Sequence, residues 1–207
     1  TGNTGFKGAW LTLYLKTICT SDLYGFSDNI PWVNGIFSKK NIKNYTKQYW
    51  GNICKFDVIH NCLKEIKPDI IFHLAAQPIV SIGYMKPRET FETNINGTLN
   101  LLEAAKNIDK EVKIILITSD KVYKSKNDLK IHDEISEIGG SCPYSSSKAC
   151  CEIIAETYAK ILKNASICTV RAGNVIGGGD WSKDRIVPDL FKAYKNNINL
   201  NIRFPFA

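Results

Sequence analysis

The sequence lacks an apolar run long enough to cross a membrane, since a spanning helix needs about 18 or more consecutive apolar residues. Residues 1–5 contain neither the basic segment nor the apolar segment of a secretory signal. The chain also begins without methionine, so we expect its N-terminus to be missing. The prediction is a cytoplasmic protein that neither spans nor binds a membrane.

The cysteines lack the C-x-x-C spacing of metal-binding or redox motifs. Their odd number, seven, and their scatter along the chain argue against a disulfide framework. We therefore predict reduced thiols that fill the core, and no metal site. The seven are Cys19, Cys54, Cys62, Cys142, Cys150, Cys151 and Cys168.

The chain also lacks a basic run with interleaved aromatic residues, although its net charge is +7. Lysine alternates with aspartate and glutamate, which argues against a nucleic-acid partner and favours a small anionic ligand that is held by a few local cations. Hydrophobic residues make up 44% and charged residues 23% of the sequence, as in soluble globular proteins. Its 207 residues suffice for one domain, or for one domain and part of another.

Glycines are concentrated at the start, where residues 1–8 contain the pattern G-x-x-G-x-x-G at Gly2, Gly5 and Gly8. An amphipathic segment follows at 10–18. Glycines at a strand-to-helix turn let the backbone approach a pyrophosphate, whose charge the helix N-terminus attracts. The alternative is a simple tight turn.

Strand and helix patterns alternate through the rest of the chain, which predicts an α/β fold with a doubly wound parallel sheet. Residues 29–50 are predicted to be a long connection with some helix. The predicted strands are 22–26, 70–77, 112–118 and 166–171, and the predicted helices are 10–18, 56–66, 89–107, 144–162 and one after Pro188.

Several polar residues interrupt these elements. His73 lies within an apolar strand, where a packed core histidine is favoured over a catalytic one. Asn94, Asn96 and Gly97 are unusual inside a helix and indicate close packing or a buried hydrogen bond. Ser27, and only then Asp28, follows the strand predicted at 22–26, which leaves the choice between NAD and NADP open at this position.

Ser119, Asp120 and Lys121 directly follow a predicted central strand. Folds of this class place their chemistry at the carboxyl ends of such strands. The alternative interpretation is a polar turn with a capping side chain.

Tyr144 and Lys148 stand four residues apart in a predicted helix and therefore on one face of it. A neighbouring ammonium favours the phenolate, so we predict that Lys148 lowers the pKa of Tyr144 and makes it a proton acceptor for an alcohol. The alternative is an ordinary pair of surface side chains.

Taken together, these motifs resemble the extended short-chain dehydrogenase/reductase superfamily, over nearly the whole chain. Within it, six blocks in the right order resemble the CDP-glucose 4,6-dehydratase family. Lys121 is the sharpest match, because related dTDP-glucose and GDP-mannose dehydratases carry Glu there and epimerases lack the pair. The blocks are residues 4–8, 72–78, 90–94, 118–121, 143–148 and 171–181.

The resemblance implies a Rossmann-like fold that binds NAD and a nucleotide sugar. We predict a dinucleotide-binding domain at 1–170 without its first strand, the truncated start of a substrate domain at 171–207, and a homo-oligomer. The implied cofactor residues are Gly2, Gly5, Phe6, Gly8, Asn52, Ile53, Leu74, Ala75, Ala76, Gln77, Tyr144, Lys148 and Arg171, and the implied substrate residues are Gln77, Asn174, Arg185 and Arg203.

The implied reaction oxidises C4 of the hexose, eliminates water across C5 and C6, and returns the hydride to C6. Tyr144, with Lys148 and Ser119, accepts the O4 proton, while Asp120 acts as the acid and Lys121 as the base. A lysine base requires a pKa lowered by burial or by cationic neighbours. Two departures from the family pattern stand out, at residues 51–55 and at Phe204 and Phe206, where the family carries Asn. The alternatives are another nucleotide-sugar dehydratase, a 4-epimerase, or a dinucleotide-binding protein without catalysis.

Overall fold

The computed structural model describes residues 1–124 and 131–203, which contain two groups of parallel strands. In one group β1 pairs with β2, and in the other β4 lies between β3 and β5. The strands are β1 (Tyr24–Ser27), β2 (Lys47–Trp50), β3 (Ile70–His73), β4 (Val112–Ile117) and β5 (Ala165–Val170).

Thr1 and Gly2 connect the two groups. The Gly2 N–H donates to the Phe26 carbonyl of β1 at 2.8 Å, and the Thr1 amine donates to the Phe72 carbonyl of β3 at 2.7 Å. The Leu74 N–H donates in turn to the Thr1 carbonyl at 3.2 Å. The first two residues therefore lie between β1 and β3, and the prediction of a doubly wound parallel sheet is confirmed.

Helices connect the strands, and two short 3₁₀ turns lie at Ile42–Asn44 and Asp120–Val122. Among the described helices, none combines the length and the apolarity that crossing a bilayer would require. The helices are α1 (Phe6–Ile18), α2 (Ile36–Lys39), α3 (Phe56–Ile66), α4 (Val80–Met85), α5 (Pro87–Phe91), α6 (Gly97–Ala105), α7 (Pro143–Ile161) and α8 (Ile186–Asn196), with a π-helical turn at Glu92–Asn96 between α5 and α6.

Helix α3 shows how sequence spacing sets the core. Ile59, Cys62 and Leu63 recur on one face and are buried. The helix ends where Lys67 adopts a left-handed conformation (φ 46°), directly before Pro68. The resulting apolar cluster joins α3, α6 and α7 to the strands, and its fully buried members are Ile59, Leu101, Leu102, Ala105 and Ile114.

The helix predicted at 89–107 contains the π-helical turn. There Asn94 is 1% exposed, accepts from the Gln77 N–H at 2.8 Å and donates to the Ser147 hydroxyl at 2.8 Å. Gly97 packs so closely on Ile53 that a Cβ would lie 2.8 Å from its Cγ2. Both features that the sequence indicated here, a buried hydrogen bond and close packing, are confirmed.

The structure differs from the local predictions in three places. Residues 29–50 contain strand β2. Its end residues Lys47 and Trp50 are both exposed, so the strand shows no alternation of apolar and polar residues, and only its pairing with β1 defines it. Strand β3 ends at His73 rather than at 77, because the chain then runs along the turn at Thr1 and Gly2. Helix α4 was not predicted.

The replacement Gly8→Ala is expected to destabilise the fold by about 3 kcal/mol, the upper range for inserting a methyl group into a packed site. A Cβ at Gly8 would clash with the Gly2 carbonyl oxygen and lie 2.7 Å from the Asn3 Cα, so α1 would have to move away from the turn. The urea midpoint of unfolding measures the effect.

Gly5→Ala is the matched control, because a Cβ there would meet only the Gly2 carbonyl oxygen, at 3.4 Å. Equal midpoints for the two variants would show that α1 does not need this close approach.

Candidate active site

A cavity of about 900 Å³ contains most of the residues that the sequence singled out for chemistry and substrate binding. It lies beside the carboxyl end of β4, where such folds bind their ligands. The predicted residues in its lining are Ser119, Asp120, Lys121, Tyr144, Asn174, Arg185 and Arg203.

Ser119 caps the 3₁₀ turn that follows β4. Its Oγ accepts from the Lys121 N–H at 3.2 Å and donates to an Asp120 carboxylate oxygen at 3.0 Å. Ser119 is buried, whereas Asp120 and Lys121 are exposed. A capped polar turn is therefore present, and it also lines the cavity. Lys121 is not buried, so burial, one of the two conditions that would favour a lysine base, is absent there in this structure.

Local sequence places Tyr144 at the start of α7. The Cys142 sulfur accepts from the Ser145 N–H at 3.4 Å, the Ser145 hydroxyl accepts from the Cys142 N–H at 3.0 Å, and Pro143 occupies the first helical position. These contacts start the helix one residue before Tyr144. The phenol is 9% exposed and lines the cavity.

The pKa of Tyr144 is raised in this structure, whereas the sequence predicted that Lys148 would lower it. Burial raises the pKa of Tyr144, and a hydrogen bond with Ser119 and the charge of Arg185 only partly oppose it. The buried Lys148 amine donates instead to the Ile117 carbonyl at 2.9 Å, and burial lowers the pKa of Lys148. The structure thus brings Ser119 to Tyr144 and points Lys148 at the backbone of β4.

The glycine turn meets the geometric needs of a pyrophosphate site. Gly2 has a left-handed backbone (φ 70°), and a Cβ there would lie 2.7 Å from the Ala75 nitrogen and 2.8 Å from the Leu74 carbonyl carbon. Helix α1 begins after Gly5 without a side-chain cap or an acidic residue in its first turn. Its first N–H groups can therefore bind an anion. Gly2 lies against Leu74 and Ala75, directly after β3, and Gly8 lies against Gly2 itself.

Gln77, predicted to contact both ligands, has its amide engaged within the protein. The amide nitrogen donates to the Thr90 hydroxyl at 2.8 Å, and the amide oxygen accepts from the Ile79 N–H at 2.6 Å. Its side chain therefore shapes the chain that enters α4.

Two other predicted cofactor residues have internal contacts. Ile53 is 6% exposed beneath Gly97, and its carbonyl accepts from the Asn100 amide at 3.0 Å. The Asn52 side-chain oxygen accepts from the Cys54 N–H at 2.8 Å.

Arg171, also predicted to bind cofactor, is paired inside the protein. Its guanidinium donates to the Glu152 carboxylate at 3.1 Å and to the Glu134 carbonyl at 3.2 Å. It also lies 5.1 Å from the centre of the Tyr123 ring. Its hydrogen-bonding capacity is therefore directed at the protein.

Arg203 and Arg185 reach the cavity with acidic partners. Arg203 lies 3.1 Å from Asp184 and 3.2 Å from Asp189, and Arg185 lies 3.9 Å from Asp180. An anionic ligand would therefore compete with these carboxylates. The departures predicted at Phe204 and Phe206 lie outside the described residues.

Sequence reasoning missed Lys7 and Glu152. Lys7 lines the cavity from the first turn of α1, and its pKa is lowered by burial and by the charge of Arg185, with Asp120 acting in the opposite direction. A cation in a first helical turn is unfavourable for the helix dipole, and that was the available signal. For Glu152, the signal was its position four residues after Lys148 on the same helical face.

His73 is a core residue, as the sequence favoured. It is 2% exposed, its ring nitrogens lie 2.8 Å from the Thr1 hydroxyl and 3.2 Å from the Thr98 hydroxyl, and burial holds its pKa well below the usual range.

Among the described residues, no group of three or more His, Cys, Asp or Glu side chains is placed to hold a metal ion.

The chain is similar in sequence to nucleotide-sugar dehydratases. A family model described as GDP-mannose 4,6 dehydratase matches residues 1–190. A CDP-glucose 4,6-dehydratase of Salmonella typhimurium is 39% identical over 215 aligned positions, which cover 100% of this chain and 60% of that protein. The human dTDP-D-glucose 4,6-dehydratase is 31% identical and is matched over 95% of this chain and 56% of its own length.

Solved structures share the fold. A UDP-glucuronic acid 4-epimerase of Bacillus cereus, in complex with UDP-glucuronic acid and NAD, has a TM-score of 0.84 at 25% identity, over 97% of this chain and 63% of that one. A dTDP-glucose 4,6-dehydratase of Bacillus anthracis in complex with NAD has a TM-score of 0.79 at 24% identity, over 96% and 61%. The chain thus spans about 60% of the length of the CDP-glucose relative and of these structures.

Proposed function

Because the chain belongs to the GDP-mannose 4,6-dehydratase family, we propose that the natural protein that carries it is an NAD-dependent 4,6-dehydratase of a nucleotide hexose. CDP-glucose is the proposed substrate, since the relative with that activity in its name is 39% identical over the whole chain. The proposed product is the CDP-bound 4-keto-6-deoxyglucose.

One observation carries the proposal: Tyr144 and the turn with Ser119, Asp120 and Lys121 line the same cavity from two different elements. A proton acceptor for an alcohol supports oxidation alone. A second acid and base beside it supports an elimination that follows the oxidation. A protein that only binds a dinucleotide has no need of either group.

The glycine turn supports NAD as the cofactor. Gly2 and Gly8 leave no room for side chains, and the uncapped start of α1 presents N–H groups to a pyrophosphate. NAD, when bound, would supply the hydride acceptor at C4 and the hydride donor at C6. The side chains of the protein would position the sugar and carry out the proton transfers.

The proton transfers are assigned to side chains of the cavity. Tyr144 would take the O4 proton, with the Ser119 hydroxyl stabilising the phenolate, and the resulting ketone acidifies the C5 hydrogen. Lys121 would remove the C5 proton once a bound hexose covers its exposed amine. Asp120 would protonate the departing C6 hydroxyl so that water leaves, and the Lys121 ammonium would return a proton to C5 when hydride adds to C6.

Cations around the cavity support a substrate with a diphosphate. Lys7, Lys183 and Arg185 line it, and Lys7 has no hydrogen bond or ion pair within the described residues. An anion would relieve the mutual repulsion of Lys7 and Arg185.

The test incubates the natural protein with NAD and, in separate reactions, CDP-, dTDP- and GDP-hexoses. We expect the alkaline absorbance of a 4-keto-6-deoxy sugar from CDP-glucose, and none from the Tyr144→Phe variant. Product from another nucleotide would revise the substrate, and an epimer without water loss would indicate an epimerase. No product from any donor would overturn the proposal in favour of a non-catalytic dinucleotide-binding protein.

A further inference from the structure

Glu152 is a buried carboxylate that lies one helical turn beyond Lys148 and has no role in the proposed proton transfers. Its side chain is 6% exposed. One carboxylate oxygen accepts from the Thr118 hydroxyl at 2.5 Å, and the other accepts from the Thr169 hydroxyl at 2.7 Å and from Arg171 at 3.1 Å. The charge is thus fully hydrogen-bonded by groups of fixed geometry.

These partners come from different parts of the sheet. Thr118 directly precedes Ser119 at the carboxyl end of β4, and Thr169 belongs to β5. Glu152 therefore joins α7, the helix that carries Tyr144, to the ends of both strands.

Arg171 extends the same network to the far side of the 3₁₀ turn. Its guanidinium lies 5.1 Å from the centre of the Tyr123 ring, which stacks on His132 with ring centres 4.6 Å apart. It also donates to the Glu134 carbonyl at 3.2 Å. The network thus contacts the residue directly before Ser119 and the residue directly after the 3₁₀ turn.

We propose that Glu152 and Arg171 are positioning residues. They hold the turn with Ser119, Asp120 and Lys121 at a fixed position relative to Tyr144 on α7. One backbone hydrogen bond also connects the turn to the segment after β5, since the Asp120 N–H donates to the Ala172 carbonyl at 3.1 Å. The ion pair adds a connection from the turn to the helix, which this backbone bond does not provide.

This inference rests on the proposed function for its chemical consequence. Oxidation at C4 needs chiefly Tyr144, which the capping of α7 places independently of Glu152. Elimination needs Asp120 and Lys121, whose positions follow the turn. A displacement of about 1 Å can lower a rate by roughly a hundredfold, so elimination is the step that should suffer.

The test uses Glu152→Gln in the natural protein with NAD and its nucleotide hexose. Gln keeps the size and can accept from Thr118, but it loses the charge that holds Arg171. We expect product formation and C5 deuterium wash-in to fall by roughly a hundredfold, with KM nearly unchanged and NADH accumulating from C4 oxidation. Glu103→Gln is the control, because it neutralises another carboxylate that contacts α7, through the 3.0 Å hydrogen bond from Tyr158, away from the cavity.

A second variant covers the case in which Glu152→Gln does not fold. Arg171→Lys keeps the positive charge but loses the forked donor and the planar contact with Tyr123. It is expected to change the ratio of elimination to oxidation in the same direction, by a smaller factor. An unchanged ratio in the folded variants would overturn the proposal.

Amide hydrogen exchange separates this inference from the proposed function. In Glu152→Gln, peptides that cover 119–123 should exchange faster, whereas peptides that cover α6 should not change. This result would support the positioning role even if no nucleotide hexose reacts. Unchanged exchange at 119–123 would overturn the positioning role even if the natural protein is an active dehydratase.

Discussion

Replacing Tyr144 with phenylalanine is expected to lower C4 oxidation of the nucleotide hexose by roughly a thousandfold, the middle of the range for losing a general acid or base. The phenol lines the cavity and hydrogen-bonds with Ser119, and the replacement removes only its oxygen. Because elimination needs the C4 ketone, product formation should fall by the same factor. NADH appearance in a single turnover and product formation together measure the effect.

Tyr158→Phe is the matched control for this experiment. Tyr158 stands on the same helix, α7, and its hydroxyl donates to Glu103 at 3.0 Å, away from the cavity. This variant should keep both rates. If Tyr144→Phe oxidises C4 as fast as the natural protein, another group accepts the O4 proton and the proposed role of Tyr144 is wrong.

Replacing Lys121 with methionine is expected to stop the reaction after oxidation. C5 deuterium wash-in and product formation should both fall by roughly a hundredfold to a thousandfold, since a base is lost. NADH should still form, because Tyr144 and Ser119 are unchanged. This separation of steps distinguishes a dehydratase base from a residue that merely binds the substrate.

Lys183→Met tests the specificity of that result, because Lys183 is another lysine in the lining of the cavity. It removes a positive charge near the same ligand and is expected to weaken binding without blocking wash-in. Native wash-in by Lys121→Met would exclude Lys121 as the base and assign the step to a different group.

The pKa of Tyr144 bears on both experiments. Burial raises it in the structure, so the phenol is protonated at neutral pH. A proton acceptor therefore requires additional positive charge next to the phenol in the reacting complex. The oxidised nicotinamide ring of a bound NAD would supply such a charge.

The sequence alone was sufficient for several local features of this protein. The helix predicted at 56–66 has the bounds of α3, and the strand predicted at 112–118 matches β4 to within one residue. These features depend on residues within about one to four positions of each other, so the sequence carries them directly.

Only the tertiary structure decided how distant groups share their hydrogen bonds. Periodicity could not tell that Lys148 would donate to the Ile117 carbonyl, because this acceptor lies in β4, 31 residues earlier in the chain. Likewise Arg171 is drawn to Glu152, since a buried carboxylate needs a partner wherever the fold places one. The residue types that carry the proposed chemistry are evident in the sequence, whereas their partners and charge states depend on burial and on contacts between remote segments.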